Sequence, residues 1–193
     1  MKRSLYDELA PEQAARARRR LAGKRAHDDG LAFEHRLDDL HKLYQGAGRA
    51  TVVKVPAPYR VLKMLPMGRF MGVFEDRGPP DYMGVVDGHA VAFDAKHSSD
   101  TPWAFAKLAE HQARYLDASQ LQGAFAFLAL SVAGRVWVMP WSALGPRWWA
   151  WCAQPGRAER GTASLSIADL DAIGHRCQGC DWLPVVAKLL GVP

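Results

Sequence analysis

Residues 81–96 read DYMGVVDGHAVAFDAK. The stretch is mostly apolar, yet it opens on Asp81 and closes on Asp94-Ala95-Lys96. Asp87-Gly88 between two alternating apolar runs is the strongest short-range signal for a hairpin with a two-residue type I′ turn. That turn sets Val86 opposite His89, and continuing the register sets Asp81 opposite Asp94. Side chains alternate along a strand. One face therefore takes Asp81, Met83, Val85, Ala90, Ala92, Asp94 and Lys96, and the other takes Tyr82, Gly84, Val91, Phe93 and Ala95. A slip of one residue would separate the two aspartates onto opposite faces.

Two carboxylates placed opposite each other have Cβ atoms about 5 Å apart. Their repulsion grows as they lose water. A divalent cation relieves it: carboxylates from neighbouring strands, a backbone carbonyl and waters make a hard-oxygen site suited to Mg²⁺ or Mn²⁺. Lys96, on the same face two residues beyond Asp94, is within reach of a phosphate or a water. Cation, lysine and phosphate are the parts needed to hydrolyse a phosphodiester. The competing reading leaves Asp81 and Lys96 solvated at strand ends, with Asp94 paired to Lys96.

The rest of the chain supports a folded α/β domain. Its 193 residues are 49% hydrophobic and include seven tryptophans, enough for a substantial core. The net charge is +5, and its distribution matters more than its total. Arg16, Arg18, Arg19, Arg20, Lys24 and Arg25 cluster before the first apolar-periodic segment, which suits phosphate contact. No apolar run is long enough to span a bilayer. The first residues lack the apolar stretch of a secretory signal. Three cysteines are too few for a disulfide framework. The expected setting is the cytoplasm, with no membrane partner.

Phe33, Leu37, Leu40 and Tyr44 recur at helical spacing, predicting a helix over 28–46. Residues 51–55 read as a strand ended by Pro56 and Pro58. Residues 59–80 mix apolar side chains with Arg60, Lys63 and Arg69, as in a protruding hairpin. A helix is expected over about 103–119, then strands at 123–132 and 135–140, then an aromatic stretch containing Trp148-Trp149-Ala150-Trp151. Ser166 and Asp169 form a capping box, and a short helix closes the chain. The tryptophans suit a core or dimer contact better than base stacking. Cys177-Gln-Gly-Cys180 is one half of a zinc pattern without its other half. The order of elements implies a mixed sheet flanked by helices.

Pro80-Asp81 followed by Asp94-Ala95-Lys96 resembles the PD-(D/E)xK nuclease signature. Further blocks resemble the RecU-type Holliday junction resolvases. These are Gly30-Leu31-Ala32-Phe33-Glu34, Lys54-Val55-Pro56-Ala57-Pro58, Asp81-Tyr82 with Gly84-Val85 and Phe93-Asp94-Ala95-Lys96, and His111-Gln112. Asp94 stands where that family usually has Glu.

The resemblance implies a restriction-endonuclease-like core with a stalk over about 59–80. It implies a basic, mobile arm over 1–27, a nuclease core over 28–150 and a C-terminal extension over 151–193 packed on that core. It also implies a homodimer that makes paired nicks in four-way DNA, with recombination proteins as possible partners. Asp81 and Asp94 would hold the metal, Lys96 would be the catalytic lysine, Glu34 an accessory acid and Gln112 a supporting residue. DNA contacts would come from the arm cluster and from Lys54, Arg60, Lys63 and Arg69. Alternatives are a repair or restriction-type nuclease on the same fold, or a DNA-binding or chromosome-segregation factor with a vestigial site.

Overall fold

The computed structural model describes residues 11–74, 78–154 and 163–193. The turn read from the sequence is present. Asp87 and Gly88 both have positive φ, 44° and 85°, as a type I′ turn requires. They join β4 (Tyr82–Val86) to β5 (His89–Ser98) in the expected register, with Val86 opposite His89 and Tyr82 opposite Phe93.

This hairpin lies inside a six-stranded sheet. β1 (Ala50–Lys54) flanks β4, and β7 (Phe125–Val132), β8 (Arg135–Pro140) and β10 (His175–Arg176) continue beyond β5. β5 and β7 run parallel and the other neighbours antiparallel, so the sheet is mixed as expected. The parallel step is made through α2 (Glu110–Leu121), the crossover such a pair needs.

Helices cover both faces. On one, α1 (Pro11–Gly46) and α5 (Leu183–Leu190) enclose Phe33, Leu37, Tyr82, Phe93, Phe127 and Trp182. On the other, α2, α3 (Trp141–Cys152) and α4 (Ile167–Ile173) enclose Leu116, Leu128, Leu130, Trp137, Trp141 and Trp148. Each fully buried large side chain contributes roughly 1.5–3 kcal/mol. The alternation predicted for β4 and β5 thus sorts Tyr82, Val91 and Phe93 to the α1 side. It sorts Met83, Ala90 and Ala92 to the α2 side, where they line a groove with Tyr115. β2 (Tyr59–Met64) and β3 (Phe70–Phe74) form a separate exposed two-stranded hairpin, the stalk expected over 59–80. Residues 75–77 of that span lie outside the described residues.

Two expectations need correction, and two further segments take on a definite structure. The first helix begins at Pro11 rather than Asp28 and runs unbroken to Gly46. The described side chains of its N-terminal half are exposed, but Ala, Arg and Leu are strong helix formers and carry it by propensity; apolar spacing alone misses such a segment. The basic arm is therefore helical from Pro11 onward, while residues 1–10 lie outside the described residues.

The second helix begins at Glu110, not 103. Trp103-Ala104 (β6) pair instead with Ser164-Leu165 (β9), and Phe105 N–H donates to the Ala163 carbonyl. The aromatic stretch is helix α3 despite Pro146, because Trp141, Leu144, Trp148 and Trp151 are all buried along it. Finally, the C-terminal segment does more than pack on the core. β10 extends the central sheet, and Trp182 is fully buried in it, donating its indole N–H to His41 Nε2 at 3.1 Å. The Ser166–Asp169 capping box forms as read.

Candidate active site

Asp81 ends the loop that enters β4, and Asp94 sits in the middle of β5. Hairpin register brings them together, and the backbone ties them reciprocally. Asp81 N–H donates to Asp94 Oδ1 at 2.9 Å, and Ala95 N–H donates to Asp81 Oδ2 at 3.0 Å. Part of the compensation that two facing carboxylates require is thus made by the amides of the opposing strand.

Asp94 is 0% exposed. Gln112, in the first turn of α2, donates from Nε2 to Asp94 Oδ1 at 3.3 Å, while its Oε1 accepts from the Ala109 amide that opens the helix. Asp94 Oδ2 has no hydrogen-bond partner. Burial pushes the Asp94 carboxyl up to about 7; Lys96 opposes the rise and Asp81 adds to it. Lys96 Nζ lies 3.9 Å from Asp81 Oδ2, a loose approach rather than a closed ion pair. The reading in which Asp94 simply pairs with Lys96 does not hold.

A buried carboxylate oxygen with no hydrogen-bond partner, beside a second carboxylate, is an acceptor set that could hold a cation. The donor chemistry is all oxygen and suits Mg²⁺ or Mn²⁺. Among the described residues no cluster of three His, Cys, Asp or Glu side chains has metal-holding geometry. The two aspartates would therefore need carbonyl, water or phosphate oxygens to complete a shell, and Glu34 does not join them as a third ligand.

Glu34 projects from α1 toward the same corner. Its Oε2 accepts from Lys54 Nζ at 2.6 Å, and it lines a cavity together with Lys96. Lys54, expected at phosphate, is already engaged: its ammonium lies between Glu34 and Asp38, 4.0 Å from the latter.

Asp38 and the Tyr82 hydroxyl are the residues the sequence reading missed. Tyr82 follows Asp81, is fully buried, stacks on Phe93 at 5.0 Å, and donates its hydroxyl to Asp38 Oδ1 at 2.7 Å. Phe93 precedes Asp94, so this stack braces both aspartates from behind the sheet. The available signal was Asp38 itself, one helical turn after Glu34 on the same face.

Of the remaining expected residues, Arg16, Arg18, Arg19, Arg20, Lys24 and Arg25 are exposed on α1, and Arg60, Lys63 and Arg69 are exposed on the stalk hairpin. Trp148 and Trp151 are buried, and Trp149 donates to Asp117 Oδ2 at 2.7 Å, so the tryptophan run packs the core rather than offering stacking surfaces.

A mixed sheet whose central hairpin carries two apposed aspartates and a neighbouring lysine defines a protein of the PD-(D/E)xK type. Comparison with known sequences narrows this. The profile of the family Recombination protein U (RecU) matches residues 28–178, and the chain belongs to that family. The Holliday junction resolvase RecU of Latilactobacillus sakei is 28% identical over 166 residues, covering 82% of this chain and 74% of its own length. That of Bacillus pumilus is 27% identical over 172 residues, covering 86% and 81%. Among solved structures, the Holliday junction resolvase Hjc of Archaeoglobus fulgidus aligns with a TM-score of 0.46 at 16% identity, over 86% of this chain and 98% of its own.

Proposed function

We propose that this chain is a metal-dependent, structure-selective DNA endonuclease that resolves four-way junctions by paired, symmetric nicks. The observation that carries the reading is the unpartnered Asp94 Oδ2, buried beside Asp81 and Lys96 on one face of the hairpin. Asp81 and Asp94 would hold Mg²⁺ or Mn²⁺; when bound, such a cation supplies Lewis-acid polarisation of the phosphate and acidification of a bound water.

The chain's own residues do the rest. Gln112 and the Asp81 amide fix the Asp94 carboxylate by its Oδ1, leaving Oδ2 free to point at the cation. Lys96, approached only loosely by Asp81 Oδ2, can turn its ammonium to the developing negative charge on phosphate. Glu34, held by Lys54, acts as an accessory acid at the cavity edge rather than as a metal ligand. The exposed arginines of α1 and the basic residues of the stalk, Arg60, Lys63 and Arg69, contact phosphates; Lys54 is left out of that set because carboxylates occupy it.

A homodimer supplies two equivalent sites for two symmetric cuts, in the cytoplasm and alongside other recombination proteins. The deciding experiment compares nicking of four-way junction, duplex and flap DNA with Mg²⁺, with Mn²⁺ and with EDTA. Paired nicks confined to the junction and dependent on metal are expected. Equal cutting of duplex or flap would make it a general repair nuclease, and no cutting under any condition would make it a binding factor. Light scattering at micromolar concentration that returned only monomer would refute the two-site part.

A further inference from the structure

α1 places His27, Gly30, Leu31 and Glu34 on one face, at the 3–4–7 spacing of a helix. That face and the outgoing end of β5 enclose a cavity of about 260 Å³ bordered by Ala95, Lys96 and His97. Two of its walls, Lys96 and Glu34, belong to the candidate active site, so the cavity borders it. His97 is a fixed wall: its Nδ1 is 3.1 Å from Ser131 Oγ, and its ring lies against Phe33 at 6.3 Å.

Gly30 is one of the residues that leave this space open. Gly30 sits within a long helix, where glycine is the poorest former after proline. A Cβ built there meets nothing within 4 Å. A side chain there would project into open space rather than into packed neighbours, so packing does not require the glycine.

The volume is below the about 300–1,000 Å³ typical of pockets for whole drug-sized ligands, and suits one unit of a chain better. Its lining mixes apolar and hydrogen-bonding residues, as a sugar and base need, and Lys96 is the one lysine or arginine in it. Gln112 and α2 close over Asp94 from the other side, so a strand held at Lys96 has its open continuation here. We propose that this cavity receives the deoxynucleotide unit of the cut strand immediately next to the cleaved phosphate. The inference rests on the nuclease reading and names a subsite within it.

The test uses the full chain with Gly30→Leu, which plugs the cavity, and Gly30→Ala, a smaller plug. Gly30→Leu should keep the thermal midpoint at or above wild type and bind junctions with unchanged affinity. It should cut on the order of a hundredfold more slowly, as a displaced reacting strand does. A tetrahydrofuran abasic residue on one side of the cut phosphate should slow the wild type and partly restore Gly30→Leu; on the other side it should do neither.

Independently of cleavage, deoxythymidine monophosphate titrated into the wild type should shift the Gly30 amide and the His27 and His97 ring signals, and should leave the histidines of Gly30→Leu unmoved. Wild-type cutting rate in Gly30→Leu, or absence of those shifts in the wild type, overturns the proposal. If Gly30→Leu does not fold, Gly30→Ala and the wild-type titration decide. A wild type that shows the shifts but nicks no branched DNA keeps the subsite and removes the nuclease reading; one that nicks junctions without the shifts does the reverse.

Discussion

Replacing Asp94 with asparagine should abolish cleavage and, in EDTA at pH 8, raise stability. Asp94 is fully buried, and its carboxyl is pushed from 3.8 to about 7, chiefly by loss of solvent. A raised carboxyl means the folded state binds more protons than the unfolded chain between those two values, so stability falls as pH rises through that window and the loss is complete above about 7. At about 1.36 kcal/mol per pH unit, the ceiling on that loss is about 4 kcal/mol.

Asparagine removes the charge and keeps Oδ1 to accept from the Asp81 amide and Gln112. Its amide hydrogens enter the place of the unpartnered Oδ2, at a cost of about 1–3 kcal/mol where unmet. The net gain at pH 8 is about 1–3 kcal/mol, which for a chain of this length raises Tm by about 2–10 °C. Thermal melts of both proteins in EDTA from pH 5 to 9 would measure it. The gap should widen between pH 5 and 7 and then level. Adding Mg²⁺ should narrow it by stabilising only the wild type. An asparagine variant that is less stable at pH 8, or a gap that does not change with pH, would refute the reasoning.

Lys96→Ala should slow cleavage on the order of 10²–10³-fold, as loss of one electrostatic stabiliser does. Mn²⁺ affinity measured by titration should fall less than in either aspartate variant, and equal loss in all three would make Lys96 structural. Tyr82→Phe keeps the stack on Phe93 but loses the hydrogen bond to the partly exposed Asp38; a destabilisation of about 1–2 kcal/mol in urea melts is expected. Deleting residues 1–27 should flatten the plot of log junction affinity against log salt by several units, about one per lost phosphate contact. Because the described side chains there are exposed, Tm should hold, and a lost transition would show that the segment belongs to the fold.

The heart of the site was legible because the Asp87-Gly88 turn leaves one register, and a register determines which side chains share a face. From that alone Asp81, Asp94 and Lys96 fall together, with Tyr82 and Phe93 behind them. The partner of Asp94 on α2 was not legible from periodicity: Gln112 comes from a crossover helix whose docking no local pattern encodes, and only the family resemblance pointed to it. The amides that relieve the two carboxylates were illegible for a different reason, since backbone donors carry no sequence signal. β6, β9 and β10 are two residues long, too short to show alternation. Helix α3 contains Gly145-Pro146, residues that disfavour a helix interior, and is held by buried tryptophans that only the folded chain brings into contact.

The unbroken course of α1 has a geometric consequence. A helix rises about 1.5 Å per residue, so Arg20 stands about 21 Å along the axis from Glu34, with Lys24 and Arg25 of the same basic cluster between them. One strand of duplex DNA advances about 3.4 Å per nucleotide, which makes that span roughly six base pairs. The same helix that carries Glu34 also carries the basic residues proposed to contact phosphate, with no hinge between them in the described residues. On the proposed reading α1 acts as a ruler: a DNA arm held at the cut would have to extend about six base pairs before it met Arg16–Arg20, and would meet Lys24 and Arg25 sooner.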